Sequence, residues 1–135
     1  MDLRDSVTFI LGQKETVIAR FYEKFLDEFP EIRPHFEGVD LRQQALMLTM
    51  ALVAVEGYYS GSYPATEHYL RVLGHRHHLA NVPPEQYPKF RGCLVATLAE
   101  IHAERWDDDL AVQWEAAIDA AIQVMLEGYE QPYIY

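Results

Sequence analysis

Apolar residues recur at helical spacing nearly throughout this chain, so the reading is an all-α fold. The clearest run is Ile18, Phe21, Tyr22, Phe25, Leu26 and Phe29, the inward stripe of a helix that begins near Lys14. Pro30 ends it, because proline has no N–H to donate, and Pro34 limits the next element to a short turn before Phe36. A first helix over residues 2–11 turns Leu3, Val7 and Ile10 inward and ends near Gly12. Asp40 can cap a third helix expected to run to about Glu56 and stop at Gly57, with Gln43, Met47, Met50 or Ala51, and Ala54 inward. Residues 58–63 read as loop, and Pro64 suits the first position of a fourth helix. After Pro83 and Pro84, a long helix from about Glu85 presents Tyr87, Phe90, Leu94, Leu98 and Ile101. Beyond Trp106 and Asp107, a last helix presents Leu110, Trp114, Ile118, Ala121 and Met125. Residues 127–135, ending in Gln131, Pro132, Tyr133, Ile134 and Tyr135, read as a loose tail. Six or seven helices with short connections predict a globular helical sandwich.

With 135 residues the chain is expected to form one domain, residues 1–135, without a covalent staple. Its formal charge of −10 argues against nucleic acid and against an anionic membrane surface, both of which would repel it. Cys93 is the only cysteine, which excludes an internal disulfide and a multi-cysteine metal site, and fits a reducing compartment. Its expected place is the core. The N-terminus carries acid early and shows no secretory pattern, and the uncharged run over residues 43–55 is too short to span a bilayer. The expected location is the cytoplasm.

Three polar groups stand where helical stripes demand apolar ones. At roughly 100° per residue, Thr66, Leu70, Leu73 and His77 share one face of the fourth helix, while His68, His75 and His78 cluster on the opposite one. An inward imidazole serves as a hydrogen-bonded core residue or as a metal ligand. Tyr22 lies inside the second helix's stripe, so its hydroxyl needs a partner or a cavity. Gln43 begins the third helix's inward line, where an unpartnered amide would cost about 1–3 kcal/mol. Taken together the three resemble the walls of a ligand pocket. The outer histidines His75 and His78 have the i, i+3 spacing of a surface metal site, but a solvated polar face is the reading preferred for them.

The order and spacing of these residues resemble a bacterial single-domain globin, similar to the globin domain of flavohaemoglobins. The resemblance spans residues 2–127 and rests on Phe21-Tyr22, Pro30, Phe36, Gln43, the run Leu73 to His77, the run Pro84 to Tyr87, and Trp114. Phe36 follows Tyr22 by 14 residues, Gln43 follows Phe36 by seven, and Tyr87 follows His77 by ten. Truncated globins share the stretch from Phe36 to Leu41, but a recognisable first helix and a well-formed His77 helix favour the full form. The resemblance implies a three-over-three helical sandwich around haem b, iron protoporphyrin IX. It assigns His77 as the axial iron ligand, Phe36 as the ring stacked on the porphyrin, and Tyr22 and Gln43 as the distal pair that hydrogen-bonds bound oxygen. Met47 then faces the distal side, Leu73, Val82 and Phe90 contact the haem, and Tyr87 is the proximal-side tyrosine. Two departures stand out: neither Glu127 nor Glu130 aligns with the proximal glutamate of flavohaemoglobins, and residues 58–69 are slightly long.

The function implied is reversible binding of O2, NO or CO, for oxygen storage, transport or scavenging, or for nitric oxide dioxygenation as an enzyme. These 135 residues contain no Gly-rich dinucleotide fingerprint, so turnover is expected to need a separate reductase. Two other classes stay open: a haem-based gas sensor, and a haem-free globin-like interaction domain.

Overall fold

The computed structural model describes residues 1–130, and the tail expected over residues 131–135 lies outside them. Six α-helices follow in order: α1 (Leu3–Leu11), α2 (Lys14–Glu28), α3 (Leu41–Gly61), α4 (Pro64–Leu79), α5 (Gln86–His102) and α6 (Asp108–Glu127). Short 3-10 segments, Pro30–Phe36 and Ala103–Arg105, join α2 to α3 and α5 to α6. No strand occurs among the described residues. The fold is all-α.

Local chemistry sets the helix starts. Asp2 and Asp5 form a reciprocal capping box on α1, Asp40 accepts from the Arg42 N–H at 2.9 Å, and Asp107 accepts from the Leu110 N–H at 2.8 Å. Pro64 occupies the first turn of α4, where its missing N–H costs nothing. The expected stripes are inward: Leu3, Val7 and Ile10 on α1, Ile18, Phe21, Tyr22 and Phe25 on α2, and Leu110, Trp114, Ile118 and Ala121 on α6 are all buried.

The third helix departs from expectation. It continues past Gly57 to Gly61, so most of the expected loop over residues 58–63 is its last turn. Gly57 works by packing, because a Cβ there would stand 3.2 Å from the Thr66 methyl on α4. The helix stops at Ser62, whose N–H still bonds the Tyr58 carbonyl at 2.8 Å while its left-handed backbone (φ 50°) turns the following chain out of the helix.

Four pairings frame the interior: α2 packs on α5 and α3, and α4 packs on α6 and α3. The α4–α6 crossing is close. A Cβ on Gly74 would fall on the backbone of Met125, and one on Gly128 would fall on the carbonyl of Arg71. Arg71, buried beside this crossing, pairs with Glu127 at 2.6 Å and Glu67 at 2.8 Å. Residues 127–130 are therefore not loose. Glu127 closes α6, Gly128 packs on α4, and the Tyr129 hydroxyl reaches the Val82 carbonyl at 2.7 Å.

At the opposite end of the core a polar chain is fully satisfied. The Trp114 indole N–H donates to Ser6 Oγ at 2.9 Å, Ser6 Oγ donates to His102 Nε2 at 2.7 Å, and His102 Nδ1 donates to the Leu98 carbonyl at 2.7 Å. The carbonyl only accepts, which fixes every proton along the chain. Burial pulls the His102 pKa down from its ordinary 6.5. Among the described residues no helix is long and apolar enough to cross a membrane.

Candidate functional site

A cavity of about 550 Å³ lies between two walls, within the range typical of small-molecule and cofactor sites. One wall is α2, the first 3-10 segment and the start of α3, bringing Tyr22, Phe36, Gln44 and Met47. The other is the end of α4, the following turn and α5, bringing Leu73, His77, Val82, Tyr87 and Phe90. A smaller space of about 120 Å³ continues inward past Leu52, Leu70 and Ile118. A larger void, about 790 Å³, is an open groove between α2 and α3 lined by several charged side chains, with Tyr22 on its wall.

Eight of the nine residues singled out from the sequence meet around this cavity: Tyr22, Phe36, Met47, Leu73, His77, Val82, Tyr87 and Phe90. Gln43 does not. It is exposed, and its neighbour Gln44 faces the cavity beside Tyr22. The inward line of α3 is Gln44, Leu48, Leu52 and Val55; of the expected line, Met47 and Ala51 border the interior space and Ala54 is buried, whereas Gln43 and Met50 are exposed. The signal was present, since the four inward positions are spaced i, i+4, i+8 and i+11. It was masked by the run of apolar residues on either side.

His77 is placed by the end of α4. Asn81 turns the chain with φ 62°, and the Val82 N–H returns to the His77 carbonyl at 3.0 Å. Nδ1 of His77 lies 3.0 Å from the Tyr87 hydroxyl, whereas Nε2 has no hydrogen-bond partner among the described residues. Burial lowers the His77 pKa, favouring the neutral imidazole that ligates metals. Tyr87 is pushed far up, by burial first and then by the Tyr129 hydroxyl 3.2 Å away. Tyr129 escaped the sequence reading because only the close α4–α6 crossing brings it here.

Across the cavity, Tyr22 is held edge-on by Phe21 and Phe36, with ring centroids at 5.1 and 5.4 Å. Burial raises its pKa to about 12, the Gln44 amide offsetting part of the effect, so the phenol keeps its proton at neutral pH. The arrangement therefore sets a hydrogen-bond donor and an unpartnered imidazole nitrogen on one cavity, between apolar and aromatic walls. Arg76 and His35 stand on the rim, where they can pair with carboxylates of an occupant.

The other histidines are placed differently. His68 and His78 are exposed as expected, but His75 turns toward α6, its Nδ1 3.1 Å from the Gly128 carbonyl. No group of three or more potential metal-binding side chains gathers among the described residues. Burial and the neighbouring Glu28 raise the Cys93 thiol to about 11, so it stays protonated.

The globin family model matches residues 19–125. The chain is 25% identical over 126 residues to a flavohemoprotein of Candida albicans, covering 91% of this chain and 31% of that protein. It is 23% identical to a flavohemoprotein of Bacillus subtilis, covering 96% and 34%. The chain thus spans about a third of the length of these flavohemoproteins. An uncharacterized globin-like protein of Aquifex aeolicus is 25% identical over 134 residues, covering 96% of this chain and 94% of that one. Among solved structures, a bacterial globin from Campylobacter jejuni superposes with a TM-score of 0.74 at 18% identity, covering 96% and 92%. The architecture is the globin fold.

Proposed function

Because the chain belongs to the globin family, we propose that it binds haem b through His77 Nε2 and holds a diatomic ligand beneath Tyr22 and Gln44. One observation carries the reading: the unpartnered Nε2 of His77 and the protonated hydroxyl of Tyr22 line the same cavity. Phe36, Phe90, Leu73, Met47 and Val82 supply apolar contact for a porphyrin, while Arg76 and His35 suit its carboxylates. When bound, haem would supply an iron able to take O2, NO or CO.

The residues around that position define the chemistry they support. Tyr22 donates a hydrogen bond and does not ionise near neutral pH. Gln44 offers an amide N–H from a helix, so both donors are preorganised, and neither competes as an iron ligand. The apolar walls exclude bulk water and strengthen each donor. Such a site favours polar ligands and slow release, which suits capture or nitric oxide dioxygenation better than transport. For sustained turnover the reading includes a reductase partner, a role supported by the similarity to flavohemoproteins.

The test begins with haem: purified chain should show an intense Soret absorption, and its absence overturns the reading. Oxygen-saturated ferrous protein mixed rapidly with nitric oxide should then give one nitrate per haem and a ferric spectrum. Haem binding without nitrate would leave a ligand-binding globin and remove the dioxygenase activity.

A further inference from the structure

We propose that Tyr129 is a positioning residue of the haem site, terminating a one-way chain of hydrogen bonds that runs from His77 through Tyr87 and Tyr129 to the Val82 carbonyl. The proposal rests on His77 as the iron ligand. Its geometry is continuous: His77 Nδ1 to the Tyr87 hydroxyl is 3.0 Å, Tyr87 to Tyr129 is 3.2 Å, and Tyr129 to the Val82 carbonyl is 2.7 Å.

The far end sets the direction. A carbonyl accepts only, and that of Val82 has no other donor among the described residues, so the single hydroxyl proton of Tyr129 goes there over the shorter contact. The Tyr87–Tyr129 bond then needs the Tyr87 proton, which leaves the Tyr87 oxygen to accept from His77 Nδ1–H. Every proton points away from the cavity, and Nε2 keeps its lone pair toward it. A ligating histidine takes its tautomer, ring orientation and basicity from the partner of its other nitrogen.

The same chain limits donor strength, because it ends on a neutral carbonyl. No acidic side chain is hydrogen-bonded to the chain among the described residues: Glu127 pairs with Arg71, Glu130 is exposed, and Glu85, also exposed, acts on Tyr129 only through its charge. His77 is therefore oriented by this chain without being made anionic by it. Tyr129 is itself fixed, by Gly128 packed on Arg71 and by its ring against His78 at 5.0 Å.

The experiment is a double-mutant cycle on the haem-loaded full chain, read by the iron–histidine stretching band of the ferrous form and by reduction potential. Tyr129→Phe keeps the ring but leaves the Tyr87 proton without its acceptor. The expected result is a lower stretching frequency and a higher potential, with the Soret band retained. In a Tyr87→Phe background the same substitution should shift neither. No shift in the parent, or an equal shift in both backgrounds, overturns the proposal, since a packing role does not depend on the Tyr87 hydroxyl. A second measurement needs no variant: His77 Nδ1–H in the diamagnetic carbon monoxide form should exchange slowly with water, and exchange as fast as that of free imidazole overturns the chain. Absence of a Soret band in the parent instead overturns haem binding itself.

Discussion

His77 and His102 sit near the C-terminal ends of α4 and α5, and burial lowers the pKa of each, yet they do opposite things. Both ring nitrogens of His102 are bonded, to Ser6 and to the Leu98 carbonyl, within a chain that starts at the Trp114 indole. Only one nitrogen of His77 is bonded; the other faces a cavity of about 550 Å³. Burial and neutral charge alone thus do not distinguish a ligand from a core residue. The distinction is whether the last lone pair is spent inside the protein.

The largest way to break the comparison is to truncate both residues. His77→Ala should abolish axial ligation or haem retention, seen as loss of the Soret band on titration with haem. His75→Ala and His78→Ala should keep it, because neither lines the cavity. His102→Ala should also keep it while lowering stability, as Ser6 loses its acceptor inside the core. Ser6→Ala is the companion variant: it strands the Trp114 N–H and His102 Nε2, at a cost of about 1–3 kcal/mol per buried group in urea denaturation. Haem loss in the His102 variant with a normal urea midpoint would erase the distinction.

The sequence made one of these histidines visible and not the other, for a physical reason. His77 extends the stripe of Leu70 and Leu73, so helical phase alone turns it inward. His102 gains its role from Ser6, 96 positions away, although Ser6 shares the face of Leu3, Val7 and Ile10 and could have been noticed there. The stripes of α1, α2, α5 and α6 made the all-α fold legible. On α3 the stripe was ambiguous, because Leu46 to Val55 is apolar on nearly every side, with Met50 51% and Val53 43% exposed. A helix without a polar face leaves its phase to its neighbours, and Gln44 rather than Gln43 was the result. Tyr129 depends on two glycines at a helix crossing, which no local spacing encodes.

A smaller effect sharpens the cavity side of the comparison. Tyr22→Phe should speed oxygen dissociation by roughly ten-fold, the kinetic equivalent of one buried hydrogen bond worth about 1–2 kcal/mol. Gln44→Leu should give a comparable or smaller increase, and Gln43→Leu none, since that side chain is exposed. Flash photolysis or stopped-flow displacement by carbon monoxide measures each. A response to Gln43→Leu and none to Gln44→Leu would show the phase of α3 to be wrong, and unchanged rates for Tyr22→Phe would remove that hydroxyl from the ligand's surroundings.

The smallest expected effect concerns pH and isolates the satisfied histidine. Burial pulls the folded-state pKa of His102 below 6.5, so it takes up a proton at lower pH than the unfolded chain, which begins to do so as pH falls through about 6.5. The unfolded state then binds more protons, so stability is fully present above that pH and declines as pH falls toward 5. Carboxylates held down by ion pairs, such as Glu100 beside Arg20 and Lys24, act below their ordinary 4.5 and stay out of this window. His102→Gln removes the titrating group, so the variant should be less stable than the parent at pH 7 but lose less on going to pH 5. His77, also lowered by burial, keeps a residual slope in both proteins. Urea midpoints at pH 7, 6 and 5 measure the difference, and parallel declines would mean that His102 carries no linkage and that its chain to Ser6 and Leu98 does not hold it neutral.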